Sequence, residues 1–83
     1  MSLNIRIRVV DKKGSVFEGF ADFCEIPTEA GIEGVLPGHI NFISNLIEGK
    51  IKYKTGETVN EINIVGGGFV EISGDCVNVM INF

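Results

Sequence analysis

Apolar and polar residues alternate with a period of two from the start of the chain. Leu3, Ile5, Ile7 and Val9 fall on one side and Asn4, Arg6 and Arg8 on the other, as in a strand with one buried face. The alternation returns in Ile51 and Tyr53 against Lys50, Lys52 and Lys54, in Ile62 and Ile64 against Glu61 and Asn63, and in Val77, Val79 and Ile81 against Asn78 and Asn82. Turn-forming residues interrupt it at short intervals: Asp11-Lys12-Lys13-Gly14, Pro27-Thr28-Glu29-Ala30-Gly31, Pro37-Gly38, Glu48-Gly49, Thr55-Gly56, Gly66-Gly67-Gly68 and Ser73-Gly74-Asp75. No long window carries a helical stripe. The pattern predicts an all-β domain, a small antiparallel β-sandwich of jelly-roll type with about eight to ten short strands.

Composition bounds this domain. The 83 residues hold one core, so residues 1–83 form a single domain, and a chain of this size buries roughly 60% of its unfolded surface. With 45% apolar and 22% charged residues, it has the material for a core and does not read as disordered. Seven Lys and Arg stand against eleven Asp and Glu, a net charge of −4, which opposes binding to nucleic acid or an anionic membrane. The imbalance is local. No basic residue lies between Lys13 and Lys50, while Glu18, Asp22, Glu25, Glu29, Glu33 and Glu48 do. No apolar run reaches the roughly 18 residues of a membrane-spanning helix, and Met1-Ser2-Leu3-Asn4 does not open like a signal peptide, so a cytoplasmic, unprocessed chain is expected. Cys24 and Cys76 form no CxxC pair and read as reduced core residues.

Residue chemistry offers little for catalysis. His39, the single histidine, leaves a Leu36-Pro37-Gly38 segment suited to a type II turn. It has neither a neighbouring nucleophile nor a set of metal ligands around it, so no catalytic, cofactor-binding or metal-binding residue is assigned. Gly66-Gly67-Gly68 is followed by Phe69-Val70-Glu71-Ile72, a strand rather than the helix N-terminus of a phosphate loop, and reads as a turn or bulge. Lys50, Lys52 and Lys54 make a basic row without stacking aromatics beside it, read as a solvated face that also discourages pairing at a sheet edge. Glu29 and Glu33 lie in a loop-like stretch where burial, the usual way of raising a carboxyl pKa, is not expected, and read as contact or solubility charges.

Three ordered blocks are more specific: Ala30-Gly31-Ile32-Glu33-Gly34-Val35-Leu36-Pro37-Gly38-His39, then Leu46-Ile47-Glu48-Gly49-Lys50-Ile51-Lys52-Tyr53, then Gly66-Gly67-Gly68-Phe69-Val70-Glu71-Ile72 with Val77-Asn78-Val79. Their wording and spacing resemble the epsilon subunit of F-type ATP synthases over about Leu3 to Asn82, the family's N-terminal domain. The C-terminal helical hairpin, which in the family inhibits ATP hydrolysis and in some members binds ATP, is expected to be absent, and neither role is carried over. After the histidine, Ile40-Asn41-Phe42-Ile43-Ser44 departs from the Ala-Pro common in the family and is closer to a branch in alternative, sodium-type ATPases.

The resemblance implies a non-catalytic rotor part of the central stalk. It would link the gamma subunit to the c-ring and couple ion transport to ATP synthesis or hydrolysis, without a cofactor. It would lie at the cytoplasmic face of the cell membrane, peripheral, touching the membrane only through the complex. It places Glu29, Gly31, Ile32 and Glu33 against the c-ring and His39 toward gamma. An unpaired sheet edge or uncovered apolar patch would let the isolated domain self-associate. The competing reading is a standalone β-barrel module for nucleic acid or carbohydrate, supported only by the lysine row and opposed by the net charge. A small β-barrel enzyme using His39 would need a partner residue that the sequence does not supply.

Overall fold

The computed structural model describes residues 5–39 and 41–81. Leu3, Asn4, Ile40 and Asn82, on which parts of the sequence reading rest, lie outside them. Nine strands follow in order: β1 (Ile5–Asp11), β2 (Gly14–Ala21), β3 (Phe23–Thr28), β4 (Gly31–Val35), β5 (Phe42–Leu46), β6 (Gly49–Thr55), β7 (Thr58–Ile64), β8 (Gly68–Ser73) and β9 (Cys76–Ile81). Among the described residues there is no helix.

The strands make one curled sheet in the order β2-β1-β9-β8-β5-β3-β6-β7, with β4 paired to β3. Strand β3 gives β4 the run Cys24 to Thr28 and also pairs with β6 at Phe23 to Glu25 and with β5 at Thr28. Curling brings β2, at one end of the order, against β6, and the Phe17 ring on β2 packs on the Tyr53 ring of β6 at 4.9 Å.

Alternation explains the core. Ile5, Ile7 and Val9 of β1, Val70 and Ile72 of β8, Val77, Val79 and Ile81 of β9, Cys24 and Ile26 of β3 and Ile51 of β6 meet inside the curled sheet. Successive side chains point to opposite faces of a strand, so Arg6, Arg8, Lys50, Lys52 and Lys54 stand in solvent.

The all-β domain of eight to ten short strands expected from the sequence is the fold observed, and two details differ. The sheet is mixed rather than wholly antiparallel, because β1 and β9 run parallel, Arg6 opposite Cys76 and Val10 opposite Met80. Parallel neighbours need a long crossover, and here seven intervening strands supply it, which no local turn signal reveals. The lysine row does not guard an edge. Strand β6 is flanked by β7 and β3.

Candidate interaction surface

The β3–β4 hairpin is built around Thr28, the one buried polar residue among those described. Its hydroxyl donates to the Gly31 carbonyl at 2.8 Å and accepts the Ala30 N–H at 3.1 Å. Gly31 adopts φ of 114°, a region that L side chains rarely enter, so the chain reverses at Glu29 and Ala30. The Glu29 N–H donates to the Asn45 carbonyl at 3.0 Å, and the Glu29 carboxylate accepts from the Asn45 amide at 3.1 Å. These bonds pin the hairpin to β5 while Glu29, Ala30, Gly31 and Ile32 stay exposed, Ile32 to 68%.

Glu33 points the other way. It lies opposite Ile26 in the β3–β4 register, half-buried, and its Oε2 meets His39 Nε2 at 2.7 Å. The imidazole returns to β4 because Leu36 to His39 form the turn that Pro37 and Gly38 predict. The His39 N–H donates to the Leu36 carbonyl at 3.1 Å, and Gly38 has φ of 84°, the value a type II turn requires. The Gly38 N–H donates to the Asp75 carboxylate at 3.0 Å, tying this turn to the β8–β9 turn. Phe42 presents a ring edge-on to the imidazole, centroids 6.1 Å apart. Only 12% of the His39 side chain is exposed, whereas Leu36, Pro37 and Gly38 lie in solvent.

Glu29, Gly31 and Ile32 thus share one exposed tip, while Glu33 pairs with His39, a residue read as facing a different partner. Asp75, which holds the same turn, was not singled out by sequence reasoning. A Ser-Gly-Asp turn signals a reversal of the chain but not what its carboxylate will meet.

The acidic stretch from Glu18 to Glu48 does not form one patch. Glu18 pairs with Arg6 and Arg8, Asp22 accepts the Gly56 N–H at 2.9 Å, and Glu48 accepts the Gly66 N–H at 3.0 Å. The basic row is similarly offset. Lys50 pairs with Glu61 at 3.2 Å, and Lys52 lies in register between Glu25 and Glu61. A row interleaved with acids is a poor track for a phosphate backbone.

Among the described residues no group of three or more His, Cys, Asp and Glu could hold a metal. Cys24 and Cys76 are free thiols. Cys24 is buried as expected, but Cys76 is only half-buried, at the Ser73–Cys76 end of the β8–β9 pair. Burial, with a smaller contribution from the Glu25 charge, pushes the Cys24 thiol up to about 12, leaving it protonated and unreactive at neutral pH.

Residues 4–83 match the family model described as ATP synthase, Delta/Epsilon chain, beta-sandwich domain. The ATP synthase epsilon chain of Prochlorococcus marinus (strain MIT 9303) is 38% identical over 82 residues, 99% of this chain and 59% of that protein. The epsilon chain of Halalkalibacterium halodurans is 37% identical over 76 residues, 92% of this chain and 56% of that protein. The chain therefore spans somewhat under three fifths of the length of these relatives. Among solved structures, a chain of the Euglena gracilis mitochondrial ATP synthase (OSCP/F1/c-ring) superposes with a TM-score of 0.85 at 20% identity, covering 98% of this chain and 52% of that one. A chain of the Tetrahymena thermophila mitochondrial ATP synthase (central stalk/c-ring) gives 0.73 at 11%, covering 96% and 64%. The two structural likenesses bear on fold alone, and it is the family match over nearly the whole sequence, with relatives above 30% identity, that carries the assignment: the chain belongs to the β-sandwich domain family of ATP synthase delta/epsilon chains.

Proposed function

We propose that this domain is a non-catalytic rotor element of an F-type ATP synthase, bound to the gamma subunit and resting on the c-ring, so that ion transport and catalytic turnover stay coupled. It acts at the cytoplasmic face of the membrane, peripherally, through the complex. The family match over residues 4–83 carries this reading.

The geometry supports a particular placement. The Glu29 to Ile32 tip is exposed yet fixed at its base by Thr28 and Asn45, which suits a contact that transmits force. Glu29, Gly31, Ile32 and Glu33 are assigned to the c-ring, with Ile32 supplying apolar contact and the acids register. The 36–39 turn is assigned to gamma. Its exposed Leu36 offers the contact, and the largely buried His39 holds the turn in place.

Mixing the chain with gamma and detergent-solubilised c-ring from the same organism tests the reading. A co-purifying ternary complex is expected, and failure to bind either partner would reject it. Glu29→Lys with Glu33→Lys should weaken ring association, most at low salt where screening is least. Unchanged association at every ionic strength would remove the electrostatic placement while leaving the gamma contact standing.

A further inference from the structure

The contact between Glu33 and His39 joins residues assigned to different partners, and its chemistry makes it sensitive to pH. The Nε2 to Oε2 separation is 2.7 Å, with 12% of the His39 side chain and 30% of the Glu33 side chain exposed. The turn carrying the imidazole is closed by its own backbone bond and held by Asp75 through Gly38. Around His39 the structure places Glu33 from β4 and the uncharged Phe42 ring from β5, while Asp75 of the β8–β9 turn holds the neighbouring Gly38 N–H. A protonated imidazole beside Glu33 cancels its charge, whereas a neutral imidazole still donates Nε2–H but leaves a full negative charge on β4.

We propose that Glu33 and His39 form a protonation-dependent latch that sets how much negative charge β4 offers to a cationic partner. The proposal rests on the rotor reading for the identity of that partner, the c-ring.

The direction follows from charge. An adjacent carboxylate favours the charged imidazole, so removing the Glu33 charge should release the His39 proton more readily. The charge offered outward rises from zero for the closed pair to one negative unit after His39 loses its proton. Association with a cationic surface should thus tighten as pH rises, by roughly two- to fivefold, the worth of one partly exposed ion pair.

Two measurements test this. The His39 imidazole resonances of the 83-residue chain are followed by NMR from pH 5 to 8.5 in wild type and Glu33→Gln, with amide dispersion as the check on folding. A higher titration midpoint in wild type is expected, with the Gly38 and Glu33 amides moving at the same midpoint, and equal midpoints would overturn the latch. Association of the gamma-bound chain with the c-ring is then measured across the same range for wild type and His39→Gln. Tightening with pH in wild type and a flat profile in His39→Gln support the proposal. Equal profiles despite unequal NMR midpoints would leave the pair intact but overturn its role in docking, and with it the placement of Glu33 at the ring.

Discussion

Three glycines in a row carry very different constraints. A Cβ built on Gly68 would lie 2.0 Å from the Met80 carbonyl oxygen and 2.9 Å from the Ile81 Cα, backbone atoms that cannot yield without opening the β8–β9 ladder. At Gly67 the same atom meets nothing within 4 Å. Gly68→Ala should therefore cost about 3 kcal/mol, whereas Gly67→Ala should stay within about 0.5 kcal/mol. Urea unfolding of both variants checks this, and equal effects would show that the steric account is wrong. The sequence marks the triplet as a turn but cannot rank its members, because the Gly68 clash comes from a strand twelve residues further on. Cys24 carries a second residue-scale prediction. Its folded-state value is raised from 9.0 to about 12 by burial and then by Glu25, so the folded state retains a proton that the unfolded state loses. The thiol's contribution is complete below pH 9 and fades as pH climbs from 9 toward 12, with a slope approaching about 1.4 kcal/mol per pH unit. Wild type should lose stability faster than Cys24→Ala between pH 9 and 11. Parallel slopes in urea titrations would contradict the burial argument.

The elements differ in how readily the sequence discloses them. Strands β1, β6, β7 and β9 alternate plainly because one face of each meets the core and the other meets water. Strands β2, β4 and β5 do not. Apolar residues also stand on their exposed faces, Val16 and Phe20 on β2, Ile32 on β4 and Ile43 on β5, and these blur the period of two. The same distinction runs through the candidate surface. The exposed tip at Glu29 was legible from turn residues, whereas the Glu33–His39 pair spans six positions across a strand end and a chain reversal, where no periodic rule relates the two. The hairpin itself hinges on Thr28. Thr28→Val keeps the side-chain volume and removes both hydroxyl bonds, which should cost about 1–2 kcal/mol. The loss should be local, because β4 pairs only with β3. Hydrogen exchange should show faster exchange of the Gly31 to Val35 amides with little change in β1, β8 and β9. Undiminished protection of β4 would show that strand pairing holds the hairpin without Thr28.

At the scale of the molecule, the parallel β1–β9 pair sets how the fold closes. Hairpin contacts such as Asp11 with Gly14 and Ser73 with Cys76 join residues three apart, whereas Arg6 meets Cys76 across 70 positions, 76 less 6. Loop-closure entropy grows with the logarithm of that separation, an extra cost of about 3 kcal/mol for the long-range pair. The antiparallel units should therefore assemble first and the β1–β9 contact late, giving refolding in the range of milliseconds to seconds. Val79 belongs to both stages, being fully buried, opposite Val70 in the β8–β9 hairpin and opposite Val9 across the parallel pair. Val79→Ala should destabilise the chain by about 1–3 kcal/mol. If closure follows the transition state, only the part of the loss that belongs to the β8–β9 hairpin slows refolding, and the part that belongs to the Val9 contact appears as faster unfolding. Stopped-flow chevrons separate the two limbs. A refolding rate lowered by the whole of the stability loss would instead place β1–β9 pairing within the nucleus, and the order of assembly inferred from loop length would have to be reversed.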